Sequence, residues 1–310
     1  MNILITGSSG LIGRALVDRL RASDDTVTRL VRGKPSSAPT PAGITDVSWD
    51  PGTGALDREG LERAGPYDGV VNLAGAGVGD RRWSPARKRL VLDSRVATAS
   101  LLVGALLRLP TPPPVLVSAS AVGFYGLRGD EELTETSSSG SGFLASLCRA
   151  WEAAATSEIS RGVRTVFLRT GIVLSGHGGA LGKQLPLFRV GLGGRMGSGA
   201  QYRSWITLDD EVGAILHCLT DQAVVGPVNA TAPNPATDAQ LARALGSVLH
   251  RPTVLAVPSV ALRLVLGAEM ANELILGGQR VLPTVLESRG YVFAHIELEE
   301  ALRSVLAVDG

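Results

Sequence analysis

The stretch NILITGSSGLIGRALVDRLRA, residues 2–22, decides the fold of this chain. Its first five residues form an apolar run typical of a β-strand, and its last twelve place apolar residues at helical spacing. Gly7, Gly10 and Gly13 lie between them in the order G-x-x-G-x-x-G. Without Cβ atoms the chain can turn tightly, a pyrophosphate can approach the backbone and the helix can pack against the strand. This context predicts a dinucleotide-binding turn rather than an ordinary surface turn.

The helix start is where phosphate is expected, because unpaired N–H groups and a partial positive charge favour an anion there. A later strand ends in NLAG (72–75), where the backbone would pass the adenine and ribose, although the same string is also compatible with a plain buried strand end. The residues predicted to surround the pyrophosphate are Gly7, Ser8, Ser9, Gly10, Leu11, Ile12 and Gly13.

The end of the second strand indicates which dinucleotide binds. An acidic residue about 20 positions after the glycines holds the ribose in NAD-binding folds. Here the chain has Val31 and Arg32, followed by Lys34. A guanidinium forms paired charge-assisted bonds with a 2′-phosphate, whereas a carboxylate would repel it. We therefore predict NADP(H), with Arg32 as a solvated loop charge being the alternative.

Strands and helices alternate through the first two thirds of the chain, which predicts a Rossmann-type, doubly wound parallel sheet of the α/β class. The predicted strands after the first are 26–32, 44–50, 68–75, 114–120, 163–171 and 226–232, and the main helices are 84–108, 142–160 and 208–221. Residues 1–176 and about 204–232 are assigned to the NADP-binding domain. Residues 177–203 and 233–310 are assigned to a smaller, mostly helical, substrate-side C-terminal lobe.

Composition excludes several classes of protein. The net charge of +1 and the lack of long basic runs argue against a nucleic-acid-binding surface. Cys148 and Cys218 match no metal-ligand spacing, so two free buried thiols and no metal site are expected. No apolar run reaches membrane-spanning length, and the chain opens directly into a strand. We expect a soluble, cytoplasmic protein.

An ordered series of motifs resembles one known family. These motifs are ITGSSGLIG, NLAG, RRW…DSRV, SASAVGFYG, LRTGIVLS, GLGGRMGSGAQYRSWITLDD and NATAPNP. Together they resemble the atypical extended short-chain dehydrogenases/reductases, called epimerase-family or nucleoside-diphosphate-sugar epimerase-like proteins, which include short-chain dehydrogenase family 39U. The resemblance covers practically the whole chain, and residues 258–306 look like the small domain of this branch.

The resemblance implies roles for residues around the cofactor. Arg32 would hold the 2′-phosphate, Arg95 would reach the cofactor from a long helix, and Val173 would lie beside the nicotinamide amide. Without the resemblance, Arg95 could equally be a charged residue on the exposed face of a helix. The remaining predicted cofactor residues are Leu73, Ala74, Gly75, Ser118, Thr170 and Gly171.

The proton relay of ordinary members is missing. In those proteins a tyrosine exchanges the proton and a lysine four residues later lowers its pKa. Aligning on Glu152 puts Leu144 at the tyrosine position and Cys148 at the lysine position. The absence does not depend on that alignment, because no Tyr-x-x-x-Lys precedes any of the three lysines, Lys34, Lys88 and Lys183.

Two residues remain as candidate catalysts. Ser120 falls where the family serine or threonine stands and could bind a substrate oxygen. Tyr125 follows on the same loop and could act as a replacement acid. The alternatives are that Ser120 caps a turn and that Tyr125 packs. Cys148 has no histidine or lysine near it in sequence that could activate its thiol, so it is predicted to be a small core residue.

Residues of the second half offer weaker candidates. Gln201 and Arg203 could contact an anionic substrate or be exposed loop residues. His177 could serve as an acid–base group, although a histidine in a glycine loop is more often solvated. Asp209 is predicted to cap a helix.

These observations predict an NADP(H)-binding oxidoreductase or epimerase homologue that acts on a small carbonyl or hydroxyl compound with a non-standard site. The alternative is a non-catalytic NADP(H)-binding redox sensor or regulatory protein. The sequence does not identify the substrate. A homodimer is a further possibility.

Overall fold

The computed structural model describes residues 1–33, 40–156 and 162–307 of the 310-residue chain. Its strands are β1 (Asn2–Thr6), β2 (Thr26–Arg32), β3 (Ile44–Asp50), β4 (Ala55–Leu56), β5 (Gly69–Asn72), β6 (Val115–Ala121), β7 (Glu132–Leu133), β8 (Arg164–Thr170), β9 (Ile172–Leu174), β10 (Gly194–Met196), β11 (Tyr202–Arg203), β12 (Trp205–Thr207), β13 (Gly226–Ala230), β14 (Ala236–Thr237), β15 (Leu255–Val257) and β16 (Arg280–Val281). Its α-helices are α1 (Leu11–Ala22), α2 (Arg58–Ala64), α3 (Pro85–Leu106), α4 (Phe143–Thr156), α5 (Gly179–Arg189), α6 (Leu208–Thr220), α7 (Asp238–Leu249), α8 (Ser259–Leu266), α9 (Ala268–Met270), α10 (Thr284–Ser288) and α11 (Leu298–Ala307). Short 3-10 and π-helical turns cover Val122–Tyr125 and Ala271–Leu276.

The order of strands in the main sheet determines where a ligand can bind. Eight strands lie in the order β13-β8-β6-β5-β1-β2-β3-β4, and all neighbours are parallel except β3 and β4. From β1 the chain builds outward through β2 and β3, then returns to place β5 on the other side of β1. The crevice beyond the carboxyl ends of β1 and β5 is thus the topological switch point, where folds of this type bind ligands.

The central strands are buried on both faces, as their continuous apolar runs predict. Because side chains alternate along a strand, Ile3 and Ile5 pack into one core with α1 and α6, whereas Leu4 packs into the opposite core with α3. The sheet is therefore covered by helices on both sides. This confirms the predicted fold class.

A separate hydrophobic core is built around α5, α7 and α11, and it includes Trp205 of β12. Thr237 and Gln240 form a reciprocal capping box at the start of α7, which fixes where that helix begins. The buried apolar side chains of this core include Leu181, Leu185, Phe188, Trp205, Leu241, Leu245 and Leu302.

Two buried carboxylates attach the C-terminal segment to the main sheet. Glu135 accepts hydrogen bonds from the backbone N–H groups of Asn229 (3.0 Å) and Val285 (3.1 Å). Asp210 accepts hydrogen bonds from the backbone N–H groups of Ala294 (2.7 Å) and His295 (3.1 Å). Hydrogen bonds to charged groups are among the stronger ones in proteins, so the lobe is firmly fixed to the sheet.

The predicted elements match the observed ones closely, with small shifts at their ends. The helix expected over 84–108 is α3, and the one expected over 142–160 is α4, whose predicted last residues 157–160 lie outside the described residues. Lys34 also lies outside them. Several short elements were not predicted, because two to seven residues are too few for a clear periodic signal. They include β4, β7, β11, β14, β16, α2 and α10. Among the described helices, none combines the length and apolarity needed to cross a membrane.

Candidate active site

The glycine turn sits at the switch point and is held tightly against its neighbours. Gly7 has φ +70°, and a Cβ there would lie 2.7 Å from the carbonyl carbon of Leu73. A Cβ on Gly13 would lie 2.8 Å from the Cα of Ser8 and even closer to the carbonyl oxygen of Gly7. Both positions require glycine, the first for the turn and the second for the contact between turn and helix.

The first turn of α1 is open to an anion. Gly10 is the N-cap. Among the described residues, no side chain caps this first turn, and the turn contains no acidic residue. Its leading N–H groups therefore have no partner within the helix, and the helix dipole adds partial positive charge. Ser9 and Gly10 are exposed, and Leu11 and Ile12 are half-buried, so the backbone here faces the crevice.

A buried chain of polar groups supports the adjacent strand ends. Thr6 donates its hydroxyl to Oδ1 of Asn72 (2.7 Å) and accepts from the N–H groups of Leu73 (3.1 Å) and Ala74 (3.2 Å). Asn72 in turn donates to Oγ of Ser118 (3.3 Å). The structure thus uses the Ser118 hydroxyl as an internal acceptor. Sequence reasoning missed Thr6 and Asn72, although a polar residue at the end of two neighbouring apolar strands was the available signal.

Arg32 lies at the same edge of the sheet as the glycine turn. Leu30 is the register partner of Thr6, so Arg32 stands two residues beyond the end of β1. Its side chain is exposed. This placement suits a role toward the outer end of a ligand bound in the crevice.

Arg95 approaches the crevice from α3. Its Nη1 donates to the carbonyl oxygens of Ala76 (2.8 Å) and Val91 (3.1 Å), and its guanidinium lies 4.7 Å from the ring centre of Trp151. Its Nε is buried and has no partner in the described part of the chain, and burial lowers the pKa of Arg95. A buried N–H without an acceptor beside Gly75 is what a bound ligand would satisfy.

On the other side of the crevice, Thr170 donates its hydroxyl to Oε1 of Glu211 (2.7 Å). Glu211 is fully buried, and this desolvation raises its pKa to about 8. Gly171 packs against the backbone of Ser204, where a side chain would not fit. Val173 is half-buried and pairs in register with Ile206. Sequence reasoning missed Glu211, because a third acid in a helix start looks like one more favourable charge.

The cap of α6 corrects a prediction. Thr207, not Asp209, is the N-cap, and its Oγ1 accepts a hydrogen bond from the N–H of Asp210 (3.1 Å). Asp209 is exposed in the first turn. The helix predicted over 208–221 begins at the observed residue, Leu208, so the error lay in the cap assignment: Asp209 lies inside the first turn, not before it.

Ser120 belongs to a buried polar network. Its hydroxyl donates to Oε1 of Glu152 (2.7 Å), and Glu152 forms a bidentate ion pair with Arg169 (2.9 Å and 3.0 Å). Arg169 is only 4% exposed and stacks on the ring of Phe124, 3.4 Å from its centre. Because the serine proton is held by Glu152, Ser120 has only lone pairs to offer to another molecule.

Tyr125 does not fit the predicted role of replacement acid. It is 0% exposed, its hydroxyl donates to Oδ1 of Asn229 (2.6 Å), and it accepts from Nη1 of Arg169 (3.0 Å). Burial raises the pKa of this phenol. The 3-10 turn after β6 directs the ring into the protein, so the alternative reading, in which Tyr125 packs, is the correct one.

Leu144 and Cys148 lie beside the segment that follows Ser120. A Cβ on Gly123 would be 3.2 Å from Cβ of Leu144 and 3.8 Å from Sγ of Cys148, and that thiol contacts the carbonyl oxygen of Ala121 at 3.6 Å. Burial raises the pKa of Cys148 to about 11, so the thiol is unreactive, as predicted. Two apolar side chains therefore occupy the place aligned with the relay, and Cys148 and Cys218 are free and buried.

The candidates for an anionic substrate are internal. Arg203 is buried, and its guanidinium pairs with Asp238 (2.9 Å) and also donates to the carbonyl oxygen of Ile275. Gln201 donates to the carbonyl oxygens of Met196 (2.9 Å) and Ile275 (3.1 Å). The donors of both side chains are engaged within the chain, and neither side chain is exposed, so neither an anion contact nor an exposed loop position describes them. His177 is exposed in the loop before α5.

Comparison with known proteins decides the family. The model described as "NAD dependent epimerase/dehydratase family" matches residues 3–230. The chain belongs to this family. A second model, described as "Domain of unknown function (DUF1731)", matches residues 257–305, the region expected to form the small domain.

Relatives within the epimerase family align over the full chain, which confirms the resemblance. The epimerase family protein MT2273 of Mycobacterium tuberculosis is 44% identical over 300 residues, covering 97% of this chain and 96% of the relative. The human epimerase family protein SDR39U1 is 37% identical over 310 residues, covering 99% and 100%. A crystal structure of human SDR39U1 (isoform 2) with NADPH has a TM-score of 0.87 at 34% identity and 99% coverage of both chains. A UDP-glucose 4-epimerase of Thermus thermophilus in complex with NAD shares the fold, with a TM-score of 0.74 at 20% identity and coverage of 100% and 99%.

Proposed function

We propose that this epimerase-family protein binds NADP(H) and oxidises or reduces a small hydroxyl or carbonyl compound. The observation that carries the proposal is the open first turn of α1 at the switch point, with Arg32 one strand away. The relative that was crystallised with NADPH supports the choice of cofactor. The unpartnered Nε of Arg95 is a second feature that a ligand in this crevice would satisfy.

Each group of residues has a part in holding the cofactor. The N–H groups of Leu11, Ile12 and Gly13 would receive the pyrophosphate, since that of Gly10 donates to the carbonyl oxygen of Gly7 (3.0 Å), and Arg32 would pair with the 2′-phosphate. Residues 73–75 would line the adenosine, and Arg95 and Val173 would approach the nicotinamide half. When bound, NADP(H) supplies or accepts the hydride, which is chemistry that no amino-acid side chain provides.

The polarity of Ser120 favours a hydroxyl substrate over a carbonyl substrate. Its proton is donated to Glu152, so its free lone pairs can accept a hydrogen bond from a substrate O–H. A proton leaving that hydroxyl can pass to Ser120 while the serine proton passes to Glu152. Arg169 already compensates the charge of Glu152, so we expect slower turnover than in members with a tyrosine and lysine.

The second candidate is a non-catalytic NADP(H) sensor or regulatory protein. It is favoured by Leu144 and Cys148, which place apolar atoms where a proton donor would be needed, and by the burial of Tyr125. Both functions share the same cofactor site and differ only in turnover.

Cofactor binding is tested by calorimetric titration of NADPH and NADH into the wild-type protein, Arg32→Ala and the control Arg63→Ala, which removes an exposed arginine on α2. We expect NADPH to bind at least about tenfold more tightly than NADH, and Arg32→Ala alone to abolish that preference. Failure to take up either nucleotide would refute the proposal.

Turnover is tested by following the absorbance of reduced nicotinamide with panels of alcohols plus NADP and of carbonyls plus NADPH. We expect oxidation of an alcohol that is lost in Ser120→Ala and in Glu152→Gln. Tight NADPH binding without turnover on either panel would favour the sensor.

A further inference from the structure

Helix α8 has an apolar face that covers nothing within the chain. Ser259, Leu262 and Leu266 are half-buried and form its inner face, as their spacing of three and four residues requires. The opposite face is exposed, and Leu264 on it is 72% accessible. A polar or charged face is normal at such positions. This exposed face consists of Val260, Ala261, Leu264 and Val265.

The strand that leads into α8 is also exposed. β15 pairs with β10 along one edge, and no described residue pairs with its other edge. Val254, just before it, is 88% accessible, and Leu255 and Ala256 are exposed as well. An open strand edge with apolar side chains is a template for pairing with another strand.

The end of α5 extends the same surface. Gly194 is the register partner of Leu255, and Gly191 packs against Pro252, so the segment 187–192 runs beside the start of β15. We call the combined surface the apolar strip. Its exposed members are Leu187, Val190, Leu192, Val254, Leu255, Val260, Leu264 and Val265.

The area of the apolar strip matches what a stable dimer buries. Each of these eight side chains exposes on the order of 100 Å², so the strip presents roughly 800 Å², which is one side of a standard protein interface. Monomeric proteins rarely expose contiguous apolar patches larger than about 300–600 Å². The single charge on α8 is Arg263, whose Nε donates to Oδ1 of Asn272 (3.1 Å), so it is turned away from the strip.

We propose that the apolar strip is a homodimer interface in which β15 pairs antiparallel with β15 of a second copy and the exposed faces of the two α8 helices are covered. A two-fold axis places the same surface on both sides of a contact, and antiparallel pairing about Ala256 obeys that symmetry. A second copy also supplies hydrogen-bond partners for the open edge of β15. A lipid phase would leave those backbone groups unsatisfied.

This interface would lie on the lobe that contacts the cofactor domain. Glu269, which closely follows α8, forms an ion pair with Lys88 of α3 (2.8 Å). Dimerisation would thus fix the position of the lobe over the crevice. The proposal is independent of the reaction and of the cofactor.

The test uses two valines of nearly equal exposure. Val254 is 88% accessible within the strip, and Val292 is 86% accessible outside it. Sedimentation velocity over a concentration series should give a dimer for the wild-type protein and for Val292→Glu. Val254→Glu should weaken the dimer at least about 100-fold, because it places an unpaired charge in the interface. Leu264→Glu should act in the same way.

A wild-type protein that stays monomeric up to about 100 µM would overturn the proposal, as would a dimer that survives both glutamate substitutions. Equal melting temperatures of the two valine variants establish that both are folded.

Strand pairing is tested by cross-linking. Antiparallel partners lie within the Cα distance that a disulfide spans, so Ala256→Cys should form a covalent dimer under mild oxidation. Val292→Cys should not. The native thiols are buried and do not compete. A dimer in which Ala256→Cys does not cross-link would overturn the pairing of β15.

Discussion

Replacing Glu211 by glutamine is expected to stabilise the protein by an amount that increases as the pH rises from mildly acidic to alkaline. The carboxyl group is fully buried, accepts one hydrogen bond from Thr170, and has its second oxygen unpaired among the described residues. Burial disfavours the charged form and raises the pKa from 4.5 to about 8. Glutamine has the same shape and keeps an acceptor for Thr170, but it never becomes charged.

The direction in which the free energy of unfolding changes with pH follows from the number of protons bound by the folded and unfolded states. Above pH 4.5 the unfolded chain releases the proton of Glu211, whereas the folded protein keeps it until the pH approaches about 8. In that window the folded state binds more protons, so its free energy of unfolding falls by about 1.4 kcal/mol per pH unit. From pH 6 to pH 9 the wild-type protein should lose roughly 2–3 kcal/mol relative to Glu211→Gln.

Urea unfolding at pH 6, 7, 8 and 9, followed by tryptophan fluorescence, measures this difference. Asp209→Asn is the matched control, because Asp209 occupies the same helical turn but is exposed, and its effect should not change over this pH range. A difference between wild type and Glu211→Gln that is constant from pH 6 to pH 9 would show that Glu211 is already ionised at pH 6, contrary to the reasoning.

Three further variants, the last with two substitutions, test the site. Gly13→Ala should abolish NADPH binding in a titration and lower stability by about 1–3 kcal/mol, because the added methyl overlaps the turn; Gly104→Ala, in open space on α3, should be neutral or stabilising by up to about 1 kcal/mol. Tyr125→Phe should cost about 1–3 kcal/mol in urea unfolding by leaving its two partners unsatisfied, with NADPH affinity unchanged; a stability equal to wild type would contradict the buried network. Leu144→Tyr combined with Cys148→Lys should raise alcohol oxidation by at least about 100-fold over either single variant, and a folded, NADPH-binding double variant with no gain would mean that more than the relay is missing.

Local sequence patterns were sufficient to predict the fold and the cofactor-binding turn. The strand–turn–helix of residues 2–22 could be predicted because the periodicity of its apolar residues and the spacing of its glycines both lie within one short segment. The apolar runs that became β5, β6 and β8 likewise report burial on both faces without reference to their neighbours.

The polar network could not be predicted in this way. Glu152 and Arg169 lie 17 residues apart, and Tyr125 and Asn229 lie 104 apart, so only the folded sheet brings these groups together. Arg203 looked accessible in a glycine-rich stretch, but Asp238 pairs with it from α7. Whether a loop side chain points inward depends on such distant partners, which a pattern along the chain does not reveal.

Glu135 and Asp210 imply that the two regions matched by separate family models are not interchangeable modules. Each carboxylate belongs to the nucleotide-binding part but accepts hydrogen bonds from N–H groups of residues 285–295. A fragment that ended before those residues would keep the entire glycine turn, yet Glu135 would lose the N–H of Val285 and Asp210 would lose those of Ala294 and His295, leaving donors such as Asn229 for Glu135 and Thr207 for Asp210. The cofactor half and the C-terminal half should therefore melt in one cooperative transition, and a shortened chain should fail to fold even though its nucleotide-binding turn is intact.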